Sequence, residues 1–435
     1  MLRLARSLSK LALWAADKTV ALTGQRRHLH KGAMVAPAFT APLLAPQIQF
    51  GPTALAAAIA RTATLRNAPP ALLAHMKDSA LSEAQILLAD GPGFELSDLL
   101  SNLADSERTH FASRVGAGIT DLYMNALGYG WRDNAACLSS SLEPHADFLY
   151  HGGAALGHGI VLAEARGSFA AKASDAKMAA EAQRKYLRQV RPYIGAASPH
   201  GQVIHGYSIA FGARPGIAGA FLRLSQTLRP KAKPTKPPVP APAPGASNPV
   251  PAAMALATYR SSFILMDTLP VAGWIDWLSG DHDLPEDAEP VTFFRFDYAG
   301  RSFLASIDAL APYRSPYLWL DELHDHPFWR HRWERRWASG PPPLYMFAIE
   351  EKAGTAFLDA LTGMIRFGPR ERPETLELPV NDLAGFAAGG AEPAGRRTGE
   401  DYDYALFRDG LALLAGPPPG KLTGIRTWHP KEGLT

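Results

Sequence analysis

The sequence predicts an α/β domain whose mixed sheet is flanked by helices, followed by a Pro-rich linker and a separate α+β domain. Three observations lead there. Two β-favouring runs at 146–150 and 160–169 precede a helical pattern at 174–190 and two further strand-like runs at 202–211 and 219–227. The stretch LRPKAKPTKPPVPAPAPGASNPVPAAM, 228–254, holds so many prolines that neither helix nor central strand continues through it. At 435 residues the chain also exceeds one ordinary core, since domains run to roughly 100–200 residues.

Composition narrows the function classes. Hydrophobic residues make up 47% and charged residues 20%, as in globular proteins and unlike disordered or fibrous ones. Pro, Asp, Lys or Gly interrupts every apolar run before it reaches the roughly 18 residues of a membrane span. Cys137 is the single cysteine, so an intramolecular disulfide and a multi-cysteine zinc site are both ruled out. A reducing, cytoplasmic location is expected, with Cys137 as a buried apolar residue. Of the formal net charge of +3, residues 1–35 carry +6 (seven Lys and Arg against Asp17), which leaves −3 on the other 400. Any nucleic-acid surface must therefore be a local patch.

Segment by segment, 1–35 reads as a basic amphipathic N-terminal segment, with Leu4, Leu8 and Leu11 at helical spacing. Residues 36–104 read as a helical lead-in with short helices at 54–66 and 81–88. The α/β domain occupies 105–227 and opens with a helix at 114–127 that ends at Gly128. The linker, 228–254, predicts an extended spacer with a cationic first half. Within the α+β domain of unknown function, 255–435, the pattern gives one or two helices at 255–278 and strands at 291–306 around Ala299-Gly300.

The chemistry-bearing stretch is PHADFLYHGGAALGHGIVLAEARGSFA, beginning at Pro144. Alternation along a strand puts Glu164 and Arg166 on one face, and Asp147 joins them if the two strands pair. Two carboxylates with a cation beside them supply oxygen ligands for a hydrated magnesium ion and positive charge for a phosphate ester. In the helix 174–190, Ser174 is the expected N-cap. Met178, Ala179, Ala182, Tyr186, Leu187 and Val190 form the expected buried face, and Gln183 lies within the apolar arc, aimed at the carboxylates. Lys177, Arg184, Arg188 and Arg191 fall on the opposite face.

This order of leading helix, Asp147, Glu164-Ala165-Arg166, helix with Gln183 and Tyr186, and returning strands resembles the PD-(D/E)XK nuclease superfamily, over residues 105–227. The resemblance implies a restriction-endonuclease-like mixed sheet and hydrolysis of DNA or RNA phosphodiesters with Mg2+, or Mn2+ in its place. Asp147 and Glu164 map to the metal-binding acids, and Arg166 to the family's lysine. A guanidinium stays protonated and cannot accept a proton, so Arg166 is assigned to the phosphate and Gln183 to orienting the site. Lys172, Lys177, Arg184 and Arg188 are the expected nucleic-acid contacts, with Lys172 also able to replace the missing ammonium group. The competing reading is a catalytically degenerate domain that binds nucleic acid or protein.

Other features carry less. Gly206-Tyr207-Ser208-Ile209-Ala210 imitates a nucleophile elbow but reads as continuing strand. His324, His326 and His331 form the densest group of potential metal ligands. Trp329, Trp333 and Trp337 recur at helical spacing among arginines, a stripe suited to core packing, a protein partner or stacked bases. The acidic run 281–289 lacks the spacing of a calcium loop.

Overall fold

The computed structural model describes residues 17–32, 39–65, 68, 72–73, 83–84, 86–138, 143–152, 159–229, 248–280, 283–285, 289–306, 346–381, 403–415 and 422–435. The stretch around Leu4, residues 81, 82 and 85 of the helix expected at 81–88, linker residues 230–247, the histidine group at 324–331, the stripe of Trp329, Trp333 and Trp337, and much of 281–289 lie outside them.

The first sheet is built from β1 (Lys18–Leu29), β2 (Gln47–Phe50), β3 (Trp131–Asn134), β4 (Phe148–His151), β5 (Ile160–Ser168), the short β6 (Ala197–Ser198), β7 (Gly201–Arg214) and β8 (Ile217–Leu228). Its order is β2-β1-β8-β7-β5-β4-β3, with β6 paired to β7. The meander β3–β4–β5 is antiparallel, β7 runs parallel to β5, and β8 returns antiparallel to β7. The sheet reaches beyond 105–227. Residues 18–29, inside the basic N-terminal segment, form a strand parallel to β8. Burial alternates at its start, with Lys18 and Val20 inside and Thr19 and Ala21 outward, while Arg26 and Arg27 farther along the strand are exposed.

Helices α1 (Pro52–Ala63), α2 (Asp105–Ala126) and α3 (Asp175–Lys185) flank this sheet. Glycines bring α2 onto β5, because a Cβ on Gly167 would sit 1.7 Å from the Ala112 carbonyl oxygen and one on Gly116 would sit 2.5 Å from the Gly167 nitrogen. The opposite face takes α3, which packs Met178 and Ala182 on Ala210. Ser174 caps α3 by accepting from the Lys177 N–H at 3.3 Å. The helix then widens into a π turn, Tyr186–Val190. Its extra residue shifts the helical phase, so Tyr186 and Val190 stay buried while Leu187, expected inside, is exposed.

After the linker, β9 (Asn248–Pro251) pairs with β13 (Thr375–Leu378), so the last linker residues are strand rather than spacer. Pro249 and Pro251 are tolerated because β9 has a neighbour on one side only. Helices α4 (Ala252–Leu265), α5 (Leu269–Ser279) and α6 (Glu351–Phe367) accompany a second sheet. That sheet comprises β10 (Val291–Tyr298), β11 (Arg301–Ser306), β12 (Met346–Glu350), β14 (Asp403–Leu406), β15 (Leu411–Ala415), β16 (Leu422–His429) and β17 (Gly433–Leu434), in the order β14-β15-β12-β11-β10-β16-β17. The protein is thus mixed α/β with a sheet-rich C-terminal region.

One apolar core runs from Val20 to Trp428 and takes side chains from both sheets. A buried ion cluster crosses the same junction. Asp409, in the turn between β14 and β15, holds Arg61 of α1 at 2.9 Å and Arg132 of β3 at 2.7 Å. Arg61 also lies 3.6 Å from Asp121 of α2 and 3.6 Å from the centroid of the Phe407 ring. Two guanidinium and two carboxylate groups balance in a place with no water-exposed surface, the condition under which buried charge is tolerated.

Candidate functional site

The β4–β5 ladder pairs Leu149 with Leu162 and Phe148 with Ala163, so one more step sets Asp147 opposite Glu164. Side chains paired across a ladder share a face, here the one covered by α3. Asp147 is fixed through Oδ2, which accepts from the Ala165 N–H at 2.9 Å. Its approach loop is held by the π turn, where Gln189 Nε2 donates to the His145 carbonyl at 2.7 Å. Asp147 and Glu164 come within hydrogen-bonding reach of each other.

Glu164 is 1% exposed. Its Oε1 pairs with Lys185 Nζ of α3 at 2.8 Å, whereas its buried Oε2 has no hydrogen-bond partner among the described residues. Burial, and next the Asp147 charge, push the Glu164 carboxyl up to about 8, while Lys185 pulls it back. Two carboxyl groups this close cannot both stay ionised in apolar surroundings unless a cation joins them, so one retains a proton near neutral pH.

The polar row continues across the sheet. Glu164 pairs with Ser208 of β7, Ser208 with Ser225 of β8, and Ser225 with Arg26 of β1. Both serine hydroxyls are buried without a hydrogen-bond partner among the described residues. Small side chains on this face of β7 let α3 sit low, since a Cβ on Gly212 would meet Met178 Sδ at 2.8 Å and one on Gly206 would meet Val190 Cγ1 at 2.3 Å. That closeness lets Lys185 reach Glu164.

Arg166 shares the Glu164 face and is half-buried, with Nε 3.7 Å from Glu181 Oε2. Glu181 in turn accepts from Arg184 at 2.7 Å and is held below the usual carboxylate range, chiefly by that bond. Gln183, expected to orient the site, instead accepts from Arg26 on β1. The cause is angular. Counted from Met178 at 100° per residue, Gln183 lies roughly 140° round the helix, whereas Lys185 lies about 20° away, in line with buried Met178 and Ala182. That i, i+7 spacing from Met178 is the sequence signal that marks Lys185. Lys172, Lys177, Arg184 and Arg188 are exposed, and Arg184 is already paired with Glu181.

The elbow-like serine, Ser208, lies within the continuous strand β7. Cys137, expected to be a buried apolar residue, is exposed. It sits in a 3₁₀ turn, Ala135–Leu138, beside Asp133 and His200. Among the described residues no helix is long and apolar enough to cross a membrane. No protein-family model, curated protein or solved structure matches the chain.

The donor set at Asp147 and Glu164 suits a hard divalent cation. It consists of carboxylate oxygens, and one of them, Glu164 Oε2, is buried and lacks a hydrogen-bond partner among the described residues.

Proposed function

We propose that this protein hydrolyses phosphodiester bonds of DNA or RNA with a divalent cation, through a PD-(D/E)XK-like, restriction-endonuclease-like domain. One observation carries the reading, namely the buried Glu164 carboxyl within hydrogen-bonding reach of Asp147, with Lys185 on its Oε1 and no donor on its Oε2 among the described residues. The order of elements supports it: α2, the meander β3–β4–β5, α3 and then β7 parallel to β5.

Asp147 and Glu164 would hold Mg2+ or Mn2+. The ion would supply positive charge to the phosphoryl oxygens and lower the cost of deprotonating an attacking water. Lys185 occupies the place that Arg166 leaves open, an ammonium group next to the second acid. It keeps Glu164 in position and adds positive charge where the pentavalent phosphorus gathers negative charge. Arg166, on the rim of the site, contacts the phosphate as a charge-assisted donor. Exposed Lys172, Lys177 and Arg188 extend the cationic surface along α3 toward the nucleic-acid backbone.

The test is cleavage of DNA and RNA by the purified full chain with Mg2+ or Mn2+, beside Asp147→Ala, Glu164→Ala and Lys185→Met. Cleavage should require the cation and fall at least about 100-fold in each variant. Equal activity in all four proteins rejects the assignment. Salt-sensitive nucleic-acid binding without cleavage would replace it with the binding-module reading.

A further inference from the structure

A second group of metal-ligating side chains lies at the edge of the first sheet. Asp133 is the penultimate residue of β3, Cys137 follows in the 3₁₀ turn, and His200 occupies the turn between β6 and β7. One ligand atom from each lies within 4.8 Å of the other two. His200 Nε2 and Asp133 Oδ2 are 2.7 Å apart, and the other Asp133 oxygen accepts from the Asn134 N–H at 2.7 Å. The His200 ring is buried, and its Nδ1 has no hydrogen-bond partner among the described residues. The ring is thus anchored at one nitrogen, and a metal taking Nε2 in place of the Asp133 bond disturbs no other ring hydrogen bond among the described residues.

We propose that Asp133, Cys137 and His200 form a zinc site. Their sulfur, nitrogen and oxygen donors are the set that Zn2+ accepts in tetrahedral geometry, with distances near 2.0–2.3 Å and the fourth position left for water. Ligand atoms in such a tetrahedron lie roughly 3–4 Å apart, so the three side chains need only small rotations. The charges balance, because one carboxylate and one thiolate neutralise a divalent ion while the imidazole stays neutral. Exposed Cys137 gives the ion a way in. Binding releases the thiol proton to solvent, so uptake of the ion should weaken as pH falls. The bound ion would pin the β6–β7 turn to the end of β3.

This site shares no ligand with the Asp147–Glu164 pair and differs from it in donor chemistry. Soft thiolate and imidazole select zinc, whereas an all-oxygen pair selects magnesium. The inference stands whether or not the chain is a nuclease.

Cobalt(II), which adopts zinc's geometry and absorbs light when bound to thiolate, is the probe. Titration of the full chain should give thiolate-to-cobalt charge-transfer absorption saturating at one equivalent and erased by zinc. Because Cys137 is the single cysteine, the band can have no other intramolecular source. It should vanish in Cys137→Ser, weaken at least about tenfold in affinity in His200→Gln, and persist in Asp147→Ala. Zinc should also slow alkylation of Cys137 in the unaltered chain, a readout that needs no variant to fold. Absence of the band, its full survival in His200→Gln, or alkylation indifferent to zinc would each overturn the site.

Discussion

At the scale of single residues, Glu164 shows how function and stability oppose each other. An ordinary glutamate titrates near 4.5, while burial and Asp147 move this one to about 8. The carboxyl is neutral in both folded and unfolded chains below 4.5, so it carries no ionisation penalty there. Between about 4.5 and 8 the unfolded chain ionises and the folded one does not, so stability falls as pH rises through that window. Replacing Glu164 by Gln removes the titration and keeps an acceptor for Lys185. Glu164→Gln should unfold at higher denaturant than the parent at pH 8 without divalent cation, by on the order of 1 kcal/mol or more, and should lose the stabilisation that Mg2+ gives the parent. Urea titrations at pH 5 and pH 8, with and without Mg2+, read both effects. A Glu164→Gln chain no more stable than the parent at pH 8 would show that the carboxyl is not a strained group.

At the scale of elements, the site depends on two helices approaching one sheet closely from opposite sides. On the α2 side the approach is backbone to backbone, with Gly167 against the Ala112 carbonyl. A methyl group there meets atoms that cannot rotate away, so α2 must lift from β5. Gly167→Ala should lower stability by about 1–3 kcal/mol, the range of an overpacked core, although residue 167 touches no functional side chain. Because β5 carries Glu164 and Arg166, cleavage should fall with it even where the chain remains folded. Chemical denaturation measures the first effect, and a normal midpoint would show that the helix gives way freely. On the other side, the small residues of β7 do the same for α3. A bulkier β7 would hold Lys185 away from Glu164.

At the scale of the whole molecule, the two sheets are joined by charge as well as by hydrocarbon. Asp409 reaches from the C-terminal sheet to Arg61 and Arg132, and its loss leaves two guanidinium groups facing, among the described residues, the one carboxylate of Asp121 in a dry interior. Burial already lowers the proton affinity of Arg61, which marks the cost of holding charge there. Asp409→Ala should destabilise the protein by about 3–5 kcal/mol, as when one partner of a buried pair is removed. A thermal melt compared with Asp409→Asn, which keeps the acceptor but drops the charge, separates the charge balance from the hydrogen bonds. A melt unchanged by Asp409→Ala would mean that the cluster contributes nothing net. Since α1, α2 and β3 all meet at these residues, the loss should reach the first sheet and lower the affinity of the Asp147–Glu164 pair for Mg2+.

Local geometry is legible along the chain. Period-two alternation set Glu164 and Arg166 on one face of β5, Ser174 fixed the start of α3, and Ala299-Gly300 fixed the hairpin of β10 and β11, because each depends only on neighbours along the chain. Both turn residues there have positive φ, the backbone that a two-residue hairpin needs. Tertiary structure decided which side chains from distant segments meet: Lys185 rather than Gln183 at Glu164, His200 and Cys137 at Asp133, Asp409 at Arg61 and Arg132. These choices depend on how closely a helix approaches a sheet and on which strands pair. Both are set by packing between residues far apart in the chain, and no local period encodes them.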